Sequence, residues 1–94
     1  MTVIRKKSYP PFFEAVMRGE KNFDLRLNDF EAQAGDTIIF EEYDPETRQP
    51  TGRVSTHKIG YVMNTSDMQY WTPDEIAKFG FKVMGLEKIA GETK

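Results

Sequence analysis

The sequence predicts a small α+β fold, a single-domain mixed β-barrel with two short helices in the order β-α-β-β-β-α-β. Three observations carry that prediction. Short segments of strand character recur along the chain, and two helical stretches open on helix-start signals and close at glycine. The 94 residues also contain no cysteine, so no disulfide framework is there to hold a loop-rich fold. A chain of this length hides only about two-thirds of the surface its unfolded form exposes, which leaves room for one core. With 38% hydrophobic and 13% aromatic residues the apolar mass suffices for that core, and disorder is not expected. Residues 1–90 are read as the domain and 91–94 as a flexible C-terminal tail.

The elements follow in order. Thr2 to Ser8 is a first strand with Val3 and Ile4 as its aliphatics. Pro10 and Pro11 then open a helix, because proline suits a first turn where its missing N–H would be unpaired anyway. Phe12, Phe13, Val16 and Met17 recur at helical spacing, with Glu14 and Arg18 an i,i+4 ion pair outside and Gly19 as the stop. Lys21 to Asn28 changes to period two. Phe23, Leu25 and Leu27 share one face and are expected in the core, while Asn22, Asp24, Arg26 and Asn28 share the other. Ala34-Gly35-Asp36 is a turn before the β-branched and aromatic strand at 37–43.

A polar hairpin loop is expected from Asp44 to Gly52, then a long strand from Arg53 to Met63 that bends at Gly60. Asn64 to Trp71 reads as irregular. Thr72-Pro73-Asp74-Glu75 is a capping box, with Thr at the N-cap, Pro at N1 and Glu at N3, ahead of Ile76, Ala77 and Phe79. Gly80 ends that helix, and Phe81, Val83, Met84 and Leu86 suggest a last strand.

Composition excludes several functions. Without cysteine there is no thiol nucleophile, no Cys-ligated zinc and no iron–sulfur cluster. A lone His57 in a strand, with no second ligand at fixed spacing, does not argue for a metal, and no cofactor is expected. Apolar runs such as Ile38-Ile39-Phe40 fall far short of the ~20 residues that span a bilayer. No apolar stretch follows the basic residues near Met1, so the chain reads as cytoplasmic and soluble.

The net charge of −2 argues against strong non-specific nucleic-acid binding. Its distribution is uneven. Residues 1–26 carry six basic residues against three acidic, whereas 27–52 carry seven carboxylates against Arg48 alone. The first third can face an anion; the 27–52 surface suits a protein partner instead.

The stretch from Phe12 through Gly19-Glu20-Lys21 to Asp24-Leu25-Arg26 resembles the opening of the ASCH domain family: a helix, then Gly-x-Lys, then a strand ending in Arg. The nearest branch is the domain group DUF3850. Asn28-Asp29, Ala34-Gly35-Asp36, Glu42-Tyr43-Asp44-Pro45 and Thr51-Gly52-Arg53 occur in that branch's order at compatible spacing, and the run from Gly80 to Leu86 resembles its closing strand. Two positions depart: Ile4 stands where the branch often has His, and Asp24 where it has Glu or Thr. The resemblance implies a PUA/ASCH-like barrel with a cleft beside the first helix. It also implies binding of RNA or a nucleotide- or nucleoside-like ligand.

Lys21, Asp24 and Arg26 are the ligand-binding candidates in that cleft, with Tyr70 and Trp71 as exposed rings for base stacking. The same residues would serve equally as a structural ion pair with a solvated lysine, and Trp71 as a core residue. Fully extended, Lys21 and Arg26 would stand about 17 Å apart and would need a bend to grip one group. One ASCH branch hydrolyses acetylated cytidine with a Lys, a Thr and a Glu. By that resemblance Lys21, Asp24 and Glu75 become catalytic candidates, with Asp74 as the neighbour of Glu75. The carboxylate at 24 would orient water instead of attacking as a hydroxyl. Glu75 has an equally good reason to exist as a cap.

Overall fold

The strand read at 37–43 lies in the middle of the sheet, and its side chains decide what is inside. A computed structural model describes residues 1–89, which divide into two compact units, Met1–Met63 and the residues from Asn64 onward. The elements are β1 (Val3–Ser8), α1 (Pro10–Met17), β2 (Thr37–Asp44), β3 (Gln49–Lys58) and α2 (Pro73–Phe79), with a single 3-10 turn at Thr65–Asp67. The tail expected at 91–94 lies outside the described residues.

In the first unit the three strands form one mixed sheet in the order β1-β2-β3, with β1 parallel and β3 antiparallel to β2. Burial along β2 alternates, so Ile38, Phe40 and Glu42 turn inward. Ile4 lies beside Ile38 in register, and α1 lays Phe13 across them at 1% exposure. Val16, Phe30, Ala32 and Ile59 pack around this centre. The ammonium of Lys6 sits 3.7 Å from the centre of the Phe30 ring, which lets a cation border an apolar core.

Helix α1 starts at Pro10 and closes with a two-bond C-cap. Gly19 takes a φ of +76°, its N–H donates to the Val16 carbonyl, and Glu20 N–H donates to Ala15 at 2.9 Å. Only Phe13 of its apolar residues is buried. A short helix at a sheet surface offers one line of contact, which leaves Phe12 and Met17 outside it.

The turn before β2 is tied by Asp36. Its carboxylate accepts the Thr2 N–H and the Gln33 N–H, each at 3.0 Å, while Thr37 N–H bonds to the Thr2 carbonyl. Ile59 and Gly35 close the same knot through Ile59 N–H to Asp36 O and Gly35 N–H to Ile59 O, both 2.8 Å.

Four expectations require correction in this unit. Residues 21–28 are irregular, not a strand, and their polarity is inverted. Leu25 and Leu27 are 70% and 81% exposed, and Phe23 is 37% exposed. Arg26 instead lies over the ring of Phe40. Period two shows that two faces differ, and tertiary contacts choose which is inside. The hairpin loop shrinks to residues 45–48, since β2 runs to Asp44 and strand pairing resumes at Gln49. Asp44 organises that loop by accepting the Glu46 and Arg48 N–H groups, with Arg48 at φ +59°. The following strand ends at Lys58, short of Met63.

In the second unit the capping box forms as its sequence requires. Thr72 Oγ1 accepts the Glu75 N–H at 3.1 Å, and Glu75 Oε1 accepts the Thr72 N–H at 2.8 Å. Trp71 stacks edge-on against Tyr70 and Phe81, both 5.7 Å between ring centres. Residues 81–86, expected as a closing strand, are irregular, so the order is β-α-β-β followed by the 3-10 turn and α2. Four apolar residues beside Gly80 and Gly85 have little preference of their own and depend on a neighbouring strand to fix them. No helix among the described residues is long and apolar enough to cross a membrane.

Two outcomes follow. Phe13→Ala should cost about 3–5 kcal/mol, whereas Phe23→Ala should melt close to wild type because its ring is already part-exposed. Denaturant titration of both variants checks this, and an equal loss would place Phe23 in the core after all. Asp36 gives the pH dependence. The Thr2 and Gln33 N–H groups hold its carboxyl below the usual carboxylate range. The stability it confers is therefore complete above the unfolded value of about 3.9 and is lost as pH falls through the folded pKa. The melting gap between wild type and Asp36→Asn should be widest at neutral pH and close toward pH 2; a constant gap would refute this.

Candidate functional site

The irregular backbone after Gly19 brings Lys21 and Arg26 to one carboxylate. Lys21 N–H bonds back to the Ala15 carbonyl of α1, so the chain leaves the helix at a fixed angle. Lys21 Nζ donates to the Phe23 carbonyl at 2.9 Å and approaches Asp24 Oδ1 at 3.4 Å. Arg26 Nε donates to Asp24 Oδ2 at 2.6 Å, with Nη2 at 3.5 Å from Oδ1. The separation expected of an extended strand is thus replaced by convergence. These side chains are 17%, 25% and 25% exposed for Lys21, Asp24 and Arg26, so the cluster is partly withdrawn from water.

They border a cleft of about 550 Å³ beside α1, lined also by Lys7, Ser8, Tyr9, Phe12 and Phe23. Tyr9 and Phe12 are about half exposed, one just before α1 and one in its first turn. The proline-fixed helix start thus turns two rings outward at the rim. Lys7 lies 4.3 Å from the centre of the Tyr43 ring on the neighbouring strand. On the rim, Glu20 pairs with Arg18 at 3.0 Å, which lowers the Glu20 pKa and raises that of Arg18.

Tyr70, Trp71 and Glu75 belong to the second unit, where Glu75 holds the helix cap. Tyr70 is largely exposed and Trp71 about half exposed. Trp71 and Glu75 border a smaller recess of about 180 Å³ with Ile76, Phe79 and Phe81. His57 pairs with Ser55 across 2.5 Å and packs against Phe40. Among the described residues no group of three or more His, Asp or Glu is placed to hold a metal ion.

Sequence reasoning missed a charged network that ties β2, β3 and α1 together. Glu42 is buried, accepts the Thr51 hydroxyl at 2.7 Å and lies 3.7 Å from Arg53. Arg53 reaches on to Glu14 of α1 at 2.7 Å and covers the Phe13 ring, and the Glu14 hydrogen bond raises its pKa further. The signal was present: Glu42 continues the inward row of Ile38 and Phe40, so its burial follows from period two.

The model of a family described as Domain of unknown function (DUF3850) matches residues 5–81, a span that includes every residue of the cleft. No curated protein and no solved structure matches the chain.

Arg53→Ala should lower the melting temperature by releasing α1 and leaving Glu42 with Thr51 alone. Adding Glu42→Gln should then recover part of the loss, because the uncompensated buried charge is gone. Melting the four proteins of the cycle tests this; strictly additive effects would show that the two residues are not coupled.

Proposed function

This chain belongs to the DUF3850 family, and on that premise we propose that the cleft beside α1 binds a nucleotide- or nucleoside-like ligand, free or within an RNA. One observation carries the reading: part-exposed Tyr9, Phe12 and Phe23 share a single recess with Lys7, Lys21, Asp24 and Arg26. Ligand pockets generally combine apolar walls with a few convergent polar groups, in volumes of about 300–1,000 Å³. Aromatic faces stack any base at about 1–3 kcal/mol each, and the charged groups supply the hydrogen bonds that orient it.

The wider ASCH assignment, with a PUA-like barrel, belongs to the same proposal. A mixed sheet whose parallel strands are joined through a helix supports it. A cytoplasmic setting suits a chain without cysteine. The competing role, a protein partner on the acidic 27–52 surface, draws less support. Asp36 and Glu42 are buried with internal donors, and Glu41 faces Arg5 at 3.5 Å.

Binding should appear as thermal stabilisation by nucleosides, nucleotides or short RNAs, followed by titration of the responders. Phe12→Ala, Lys21→Ala and Arg26→Ala should each weaken it by about tenfold or more. Hydrolysis of acetylated cytidine in the same samples would move the assignment to an amidohydrolase using Lys21 and Asp24. Unchanged affinity in all three variants would remove the ligand from this cleft.

A further inference from the structure

We infer that Asp24 is an internal counter-anion that keeps phosphate off Lys21 and Arg26, so that the cleft takes the uncharged base-and-sugar part of a nucleotide. The ligand class rests on the reading above; the exclusion of phosphate does not. Lys21 and Arg26 are the residues a phosphate would seek, since guanidinium and ammonium groups are its usual partners. Both already share one carboxylate. Arg26 meets one Asp24 oxygen through Nε at 2.6 Å, and Lys21 meets the other at 3.4 Å.

The arrangement is held from several sides. The Gly19 cap and the Lys21 N–H to Ala15 bond fix where the lysine leaves the helix, and Lys21 Nζ is anchored on the Phe23 carbonyl. Arg26 is braced against Phe40, a buried residue of the core. With the three side chains no more than 25% exposed, charges act through a medium less screening than water. An incoming phosphate must therefore displace the carboxylate or lie against it.

The rest of the lining gives no compensation. Glu20 adds a second carboxylate that is itself paired with Arg18 at 3.0 Å, and Lys7 is drawn toward the Tyr43 ring, 4.3 Å from its centre. Such a lining suits a neutral partner that carries donors and acceptors side by side, which is the edge of a nucleobase. Its donors meet Asp24, its acceptors meet Lys21 and Arg26, and the ligand brings no charge of its own. The exposed rings of Tyr9, Phe12 and Phe23 are left for its faces.

Asp24→Asn removes the charge and keeps the shape, and calorimetric titration with inorganic phosphate reads the result. The variant should bind phosphate at least about tenfold more tightly than wild type, and the gain should shrink as salt rises. Glu20→Gln, an equal change in net charge on the same rim, should give no such gain. Asp24→Ala repeats the measurement, and circular dichroism confirms that each variant is folded. Failure of both Asp24 variants to gain phosphate affinity overturns the inference, and so does an equal gain in Glu20→Gln. Adenosine, cytidine, guanosine and uridine, each with its 5′-monophosphate, complete the test. Wild type should bind each pair within about threefold, whereas Asp24→Asn should favour the monophosphates. A wild-type preference of about tenfold for monophosphates also overturns the inference. Phosphate capture by Asp24→Asn without nucleoside or nucleotide binding to any of the proteins would uphold Asp24 as a counter-anion and refute the proposed function.

Discussion

A central strand that turns Ile38, Phe40 and Glu42 to the same side must either strand a carboxylate in the core or surround it with donors. The first unit is arranged around the second outcome. Thr51 gives Glu42 a hydroxyl, and Arg53 brings a positive charge that is shared with Glu14. Both partners stand on β3, and Arg53 carries the link on to Glu14 of α1, so satisfying one side chain ties three elements together. An unpaired buried charge is far more costly than a lost surface contact, so this requirement outranks the exposed ion pairs around it.

The opposite end of the strand has its own carboxylate. Asp36 collects the N–H groups of Thr2 and Gln33 and stands where β1 begins, β2 begins and the chain leaves β3. Between the two acids lie Ile38 and Phe40, the apolar part of the row. The register of this sheet is thus pinned chemically at both ends of β2 and filled by hydrophobic packing between them. Parallel β1 has no hairpin to set its register, which makes the Asp36 to Thr2 bond the more consequential of its ties.

The cleft is a by-product of that scaffold. Helix α1 is held by Phe13 and Val16 below and Glu14 beside, while its apolar side chains Phe12 and Met17 are left outward. Its glycine cap then bonds the chain back to the helix, and the next seven residues place an ion cluster against aromatic side chains. A rigid scaffold carrying an irregular, polar segment is the usual construction of a binding surface. Here the irregular segment also arrives with its charges already paired, which distinguishes it from a bare basic patch.

Much of this was legible locally. The paired prolines and Gly19 bound α1, the Thr72 to Glu75 box formed to the atom, and the proximity of Asp24 to Arg26 followed from their spacing. Those features depend on neighbours within a turn or two, so the sequence contains both partners. The face of residues 21–28 was different. Their alternation predicted two unlike sides, yet Arg26 went toward Phe40 and Leu27 toward solvent. The extent of the hairpin and the partners of Glu42 were likewise set by the pairing of β2 with β3, which the local pattern of either strand does not contain. The sequence by itself determined which segments bend, cap and alternate, because these are properties of short-range sterics and hydrogen bonding. Only the tertiary structure decided which side of each segment is buried and which charges meet, because that choice is made by the surface each segment finds opposite it.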